Sequence, residues 1–211
     1  MPRLSPVQHF LRELVARPSI NPTLLPNRPD LTGEERVSEF LQDTANSAGI
    51  EVRRQAVLPD RQNLIARIAP SGKVKCRIML TPHLDVVPAP EKDFTPRVKN
   101  GKMYGRGTCD TKGSVAAFFS AFVDLARNGN APRETEILFV GLVDEEFGQA
   151  GSRKLAQKGP RGDLAIAGEP TGLQVVTAHK GNLWLQLKTI GKSAHGSTPH
   201  HGRNAVHAMT P

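Results

Sequence analysis

The stretch ILFVGLVDEEFG, residues 137–148, decides how the chain is read. It opens as an unbroken apolar run with Ile, Phe and Val, the pattern of a strand covered on both faces. It then closes on three consecutive acids, Asp144, Glu145 and Glu146. Carboxylates set side by side repel, and taking them out of water is costly without a cation. Two readings are open. The acids are a solvated acidic start to the helix that follows, stabilised by its dipole, or they surround something positive.

Working outward, strand and helix patterns alternate. IEVRRQAV, NLIARIA and CRIML read as strands, and CRIML runs directly into TPHLDVVP. RVKNGKMYGRG has Asn-Gly between short extended pieces, a hairpin signal. DTKGSVAAFFSAFVDLARNG is the clearest helix: Asp110 is placed to cap it, Val115, Phe118, Phe119 and Phe122 form an apolar face, and Gly129 ends it. GSRKLAQKG reads as a short helix and DLAIAGEP as another buried strand. Upstream, SPVQHFLRELVARPS is a short amphipathic helix, followed by a Pro-rich loop. A further helix is entered through a Thr32–Glu35 capping box and stopped at Gly49. This order predicts an α/β fold, a mixed twisted sheet with helices on both faces.

The polar clusters fall at one kind of place. PHLD follows RIML, DEE follows ILFVGLV, and GEP follows LAIA, so each lies at a strand's carboxyl end, where ligands of open α/β sheets gather. After Gly172 the pattern changes: an alternating strand around LWLQLKTI, a polar loop and the opening of a helix. The chain is therefore divided into residues 1–176, the N-terminal portion of a catalytic domain, and 177–211, the beginning of a second, incomplete unit.

Composition narrows the classes. The 211 residues are 38% hydrophobic and 23% charged, ordinary for a globular chain with a substantial core. No apolar stretch is long enough to span a bilayer, and the N-terminus lacks the apolar block of a signal peptide. The two cysteines, Cys76 and Cys109, make no CxxC pair. These features place the protein in the cytoplasm, with no membrane partner. The formal charge of +8 comes from scattered Lys and Arg, with one Trp and one Tyr for base stacking, which argues against a nucleic-acid partner.

His83 and Asp85 stand two apart in an extended segment and so share a face. A ligating histidine needs a partner to fix its ring, and a nearby carboxylate serves. With Asp110, Glu146 and Glu169 at other element ends, one histidine and several carboxylates suit a borderline divalent cation such as zinc. A bridging carboxylate could hold two ions about 3.5–4 Å apart, leaving a neighbouring acid free to move protons. Each residue also has a plain reading: Asp110 as a helix cap, Glu169 as turn chemistry before Pro170, His83 as a satisfied core histidine. Taken one at a time these suffice, but they leave the shared sheet edge unexplained.

PHLDVVP, GRGTCDTKG, VDEEFGQAGS and GEPT, in this order, resemble the signatures of the co-catalytic zinc amidohydrolases and peptidases. That family includes acetylornithine deacetylase, succinyl-diaminopimelate desuccinylase, aminoacylase and carboxypeptidase G. GKSAHGSTPHHGRNAV resembles its lid signature. The resemblance implies a zinc-peptidase-like catalytic domain with an inserted α+β lid, which makes the homodimer. It implies two Zn²⁺ per site, with Co²⁺ or Mn²⁺ as substitutes. His83 and Glu169 would ligate one ion, Asp110 would bridge, and Glu146 would ligate the other. Glu145 would be the general base and Asp85 would orient His83. His195 would reach a neighbouring subunit's site and stabilise the oxyanion, its plain alternative being an exposed loop histidine. Asn204 would lie near the substrate. The other histidines of the second unit, His179, His200, His201 and His207, read as surface residues.

The implied reaction is hydrolysis of the amide bond of an N-acyl amino acid or small peptide, the deacylase branch being preferred. The family also supplies a last metal-binding histidine from a distant C-terminal segment, and none of the seven histidines here sits in that motif. The expectation is therefore a fragment of a longer enzyme. The alternative is a truncated, inactive relative that still binds metal or dimerises.

Overall fold

The structure, a computed structural model, describes residues 4–181, 183 and 185–210. It divides into two units, the first ending at Leu173 and the second beginning at Gln174.

In the first unit α1 (Pro6–Val15) starts from a Ser5–Gln8 capping box with Pro6 in its first turn. Next come α2 (Glu35–Ser47), β1 (Glu51–Leu58), β2 (Arg61–Ile68) and β3 (Cys76–Thr81). A small hairpin follows, β4 (Arg97–Lys99) and β5 (Lys102–Tyr104). Its turn is Asn100–Gly101, with φ +51° and +72°, the left-handed pair a tight hairpin demands. The unit continues through α3 (Lys112–Arg127), β6 (Thr135–Gly141), α4 (Ala150–Lys158) and β7 (Leu164–Ala167).

Five strands form one mixed sheet in the order β1-β2-β6-β3-β7. β1 and β2 are antiparallel, as are β2 and β6, whereas β3 lies parallel to both β6 and β7. β6 is central, and its alternate residues feed two cores, as the period of two requires. Ile137 and Phe139 join Leu64, Ala66 and Ile68 under α1, α2 and α3. There the Phe119 and Phe139 rings meet edge to face, 4.8 Å between centroids. Leu138 and Val140 pack on the other face with Ile65, Met79 and Leu155 of α4. Helices thus cover both faces.

Three local expectations are corrected. The Thr32–Glu35 capping box does not form. Glu34 occupies the cap position and turns its carboxylate inward to Arg61, while Thr32 is drawn into a bridge with Ile20. LAIA, expected to be a buried strand, is exposed in β7 (Leu164 51%, Ile166 41%), because among the described residues β7 has β3 on one side and no strand on the other. Asp110 does not cap α3, whose cap position is Thr111 without a side-chain bond; its carboxylate turns to His83 instead.

The second unit contains a short 3₁₀ turn, Pro199–His201, and α5 (Ala205–Met209). A bridge joins Lys192 and Arg203. The expected strand around LWLQLKTI includes Trp184, which lies outside the described residues; Leu183 and residues 185–190 carry no strand. Among the described residues, no helix is long and apolar enough to cross a membrane.

Candidate metal centre

Three strands running the same way, β3, β6 and β7, end at one edge of the sheet. β3 and β6 stay side by side beyond their ends: the Leu142 N–H donates to the Pro82 carbonyl at 2.9 Å and the Leu84 N–H to the Leu142 carbonyl at 2.8 Å. This pairing sets PHLD beside VDEE. Two features draw in the remaining elements. The Thr111 hydroxyl donates to the Gly168 carbonyl, tying the start of α3 to the end of β7. Gly168 is needed there, since a Cβ would stand 2.7 Å from that of Ser114 and 3.1 Å from the Phe118 ring. On the other side, the buried Lys112 ammonium donates to the carbonyls of Leu14 (3.0 Å) and Arg17 (2.7 Å), locking α3 onto the end of α1. The Asp110–Thr111 peptide bond is cis.

The side chains converge on His83, which is buried. Its Nε2 lies 3.0 Å from Asp110 Oδ1, 3.9 Å from Glu145 Oε2 and 3.9 Å from Glu169 Oε1. Ligand atoms of His83, Asp110 and Glu146 all fall within 4.8 Å of one another. Two atoms each about 2.0–2.2 Å from one ion can be at most about 4.4 Å apart. The 3.0–3.9 Å separations around His83 are therefore those of groups that can share a cation.

Asp85 organises the rest from below. His83 Nδ1 faces the Asp85 main-chain carbonyl at 3.0 Å and its carboxylate at 3.5 Å, which leaves Nε2 for the cluster. The Asp85 carboxylate accepts the N–H of Glu145 (3.0 Å), the N–H of Glu146 (3.1 Å) and the Asn21 amide (2.7 Å). One buried acid thus orients the histidine and grips the backbone of both glutamates.

The electrostatics are those of an anionic pocket around one imidazole. Burial works against charging His83, but its hydrogen bonds to Asp110 and Asp85 and the Glu169 charge outweigh it and push the imidazole up to about 11. Burial, with the Asp110, Asp85 and Glu145 carboxylates, pushes Glu146 up to about 7 despite the attraction of His83. Glu145 and Glu169 are raised by burial and by the same carboxylates. Asp110 lies below the usual carboxylate range, held there by its hydrogen bond to His83. Asp85 does too: burial opposes its charge, but His83, Asn21 and the Glu145 N–H prevail. A divalent ion would relieve this crowding, and the donor set of one imidazole and several carboxylates fits zinc-type chemistry.

The structure therefore brings together His83, Asp85, Asp110, Glu145, Glu146 and Glu169. His195 and Asn204 belong to the second unit. There His195 Nδ1 bonds the Ser197 hydroxyl at 2.8 Å, and the Asn204 side-chain oxygen caps α5 through the N–H groups of Val206 and His207. Sequence reasoning missed Asn21, Glu34 and Arg61, which surround Asp144 and Asp85. Arg61 is 8% exposed and Glu34 2%, and their charges in the sequence look like ordinary surface ones.

Comparison with known proteins agrees with the geometry. The profile of "Peptidase family M20/M25/M40" matches residues 79–202, more than half of the chain. An acetylornithine deacetylase of Proteus mirabilis (strain HI4320) is 35% identical over 205 residues, 94% of this chain and 51% of that protein. A probable succinyl-diaminopimelate desuccinylase of Staphylococcus epidermidis (strain ATCC 35984) is 35% identical over 181 residues, 82% of this chain and 44% of that one. The crystal structure of a tripeptidase from Staphylococcus aureus subsp. aureus Mu50 superposes with a TM-score of 0.66 at 22% identity. It covers 96% of this chain and 54% of that one, a likeness of fold. The chain spans about half the length of these curated relatives. With its residues 79–202 matched and the same stretch carrying the clustered histidine and acids, the chain belongs to peptidase family M20/M25/M40.

Proposed function

We propose that this chain carries the metal centre of a hydrolase that cleaves the amide bond of an N-acyl amino acid or small peptide. The observation that carries the reading is the meeting of His83, Asp110 and Glu146 within 4.8 Å, with Glu145 beside them 3.9 Å from the imidazole. His83 and Glu169 would hold one Zn²⁺, Asp110 would bridge, and Glu146 would hold a second. Bound ions would supply Lewis acidity toward an amide carbonyl and toward water.

Glu145 is the general base. Its backbone is fixed by Asp85, and its carboxyl, raised above the ordinary range, is half-buried yet reachable from solvent. A base with a raised affinity for protons is suited to take one from water and return it to the leaving amine. Asp85 positions His83 and does not touch substrate. His195 would stabilise the oxyanion and Asn204 would lie near the substrate. Residues 177–211 would open a lid through which two copies pair. The names of the deacetylase and desuccinylase relatives favour an N-acyl amino acid over a longer peptide.

The test is Glu145→Gln, followed by zinc content and by hydrolysis of N-acetyl and N-succinyl amino acids. Zinc is retained and hydrolysis falls by about 10²–10⁴-fold. Hydrolysis within twofold of the unmodified protein, or an unmodified protein that takes up no metal, overturns the reading.

A further inference from the structure

We infer that Asn21 is a positioning residue of the metal centre, an amide clamp that sets the backbone from which Glu145 and Glu146 project. This rests on the metal-centre reading above. Asn21 is fully buried and lies far from the cluster in sequence. Its main chain runs beside the extension of β3, the Asn21 N–H donating to the Val86 carbonyl at 2.9 Å. Its side-chain nitrogen donates to Asp85 Oδ2 at 2.7 Å and to Asp144 Oδ1 at 3.0 Å. Its side-chain oxygen accepts the Thr23 N–H at 3.1 Å. An amide nitrogen has two hydrogens, and here each serves a different buried carboxylate.

Those two carboxylates control the acidic loop. Asp85 holds the N–H groups of Glu145 and Glu146. Asp144 is the pivot that precedes them, in the left-handed region at φ +66°, a conformation a non-glycine residue keeps only when its surroundings impose it. The surroundings do so from several directions. Arg61 donates to Asp144 Oδ1 at 2.9 Å, the Ala150 N–H to Oδ2 at 3.2 Å, and the Asp144 N–H to Glu34 at 3.2 Å. Glu34 is itself held by Arg61 at 2.5 and 3.0 Å. Arg61 and Glu34 thus fix the pivot alone. Asn21 joins the pivot to Asp85, and through Asp85 to His83. Without it, the two buried carboxylates share no donor, and the Asp144 pivot loses its side-chain tie to Asp85, which then holds the Glu145 and Glu146 N–H groups with one donor fewer to fix its own carboxylate.

The experiment compares the unmodified chain with Asn21→Leu, which keeps the branched side-chain shape and removes both donors. Asn21→Ser, whose single O–H can serve only one carboxylate, is the second variant. Zn²⁺ affinity is measured by chelator competition and ligand geometry by the visible absorption of bound Co²⁺, with folding followed by circular dichroism. Glu136→Gln, remote from the centre, is the comparison for loss of stability alone. Asn21→Leu should bind Zn²⁺ about 10–100-fold more weakly with an altered Co²⁺ spectrum, Asn21→Ser should fall between, and Glu136→Gln should leave both readouts unchanged. Folded Asn21 variants with unmodified affinity and spectrum overturn the inference while the metal-centre reading stands. Loss of folding in both variants also overturns it, since Asn21 is then a fold residue. An unmodified chain that binds neither ion overturns the metal-centre reading and the inference together.

Discussion

Asp85 shows how much a single buried carboxylate can organise. It is fully buried and accepts three donors besides facing His83. Asp85→Asn replaces one acceptor oxygen with an amide that points its own hydrogens at the Glu145 or Glu146 N–H. One buried donor is then unsatisfied, at about 1–3 kcal/mol, a loss visible as a lower midpoint in urea. Affinity for Zn²⁺ should fall about 10–100-fold as well; unchanged affinity would show that Asp85 only supports the fold. The cluster was legible in the sequence because each acid or histidine stands just beyond a strand's apolar run or at the start of a helix; the division of Glu145 and Glu146 into base and ligand came from the family resemblance. Asn21, Arg61 and Glu34 were not. Nothing in RPSIN or PDRQN distinguishes a buried polar side chain from a solvated one, and Glu34 lies inside the expected Thr32–Glu35 box with nothing to mark it for burial. Their role comes from tertiary placement, where separate segments of chain meet Asp85 and Asp144.

At the scale of elements, β6 owes its grip on its neighbours partly to Glu136, which is 3% exposed. Its carboxylate bonds Arg67 of β2 at 2.6 Å and Arg77 of β3, the strands on either side. Burial raises its affinity for a proton, but the two arginines outweigh this and hold it below the usual carboxylate range. A group whose folded pKa is depressed contributes stability above its unfolded value, here 4.5, that is lost as pH falls through the folded one. Glu136→Gln should therefore cost about 1–3 kcal/mol at neutral pH and flatten the loss of stability below pH 4.5, checked by urea midpoints across pH 3–7. An acid limb identical to that of the unmodified chain would remove Glu136 as its source. The same strand shows why the fold was readable: ILFVG feeds two cores with alternate residues, so the run is apolar throughout and reads as a strand buried on both faces. β7 is likewise apolar, but β3 is its one neighbour among the described residues, and composition cannot count neighbours. The Thr32–Glu35 box failed for a related reason, since the Ile20 bridge and the Arg61 contact outcompete a local cap.

Over the whole molecule, a chain of formal charge +8 sets the carboxylates of Asp85, Asp110, Glu145, Glu146 and Glu169 around one histidine. In the metal-free state that gathering must be met with protons, so stability, pH and metal are linked. Glu146 is raised from 4.5 to about 7. A raised folded pKa means that the group contributes stability fully present below pH 4.5 and lost as pH rises through about 7. Glu145, Glu169 and Glu34 shift in the same direction. Lys112, lowered by burial to about 7, acts in the opposite sense above that value, so the window of interest is pH 5–7. There the metal-free protein should melt at a lower temperature as pH rises. Zinc bound by these acids as proposed would replace the protons, so its stabilising effect should grow over the same interval. At zinc about 100-fold above its dissociation constant the gain is about 2.7 kcal/mol, roughly 5–10 °C for a domain of this size, and EDTA should reverse it. Glu146→Gln should flatten the metal-free decline and remove much of the zinc gain at pH 7. Thermal scans at pH 5, 6 and 7, with and without zinc, decide it. A zinc increment equal at every pH and untouched by Glu146→Gln would mean that the ion binds elsewhere and that proton uptake by the acidic loop is unrelated to it.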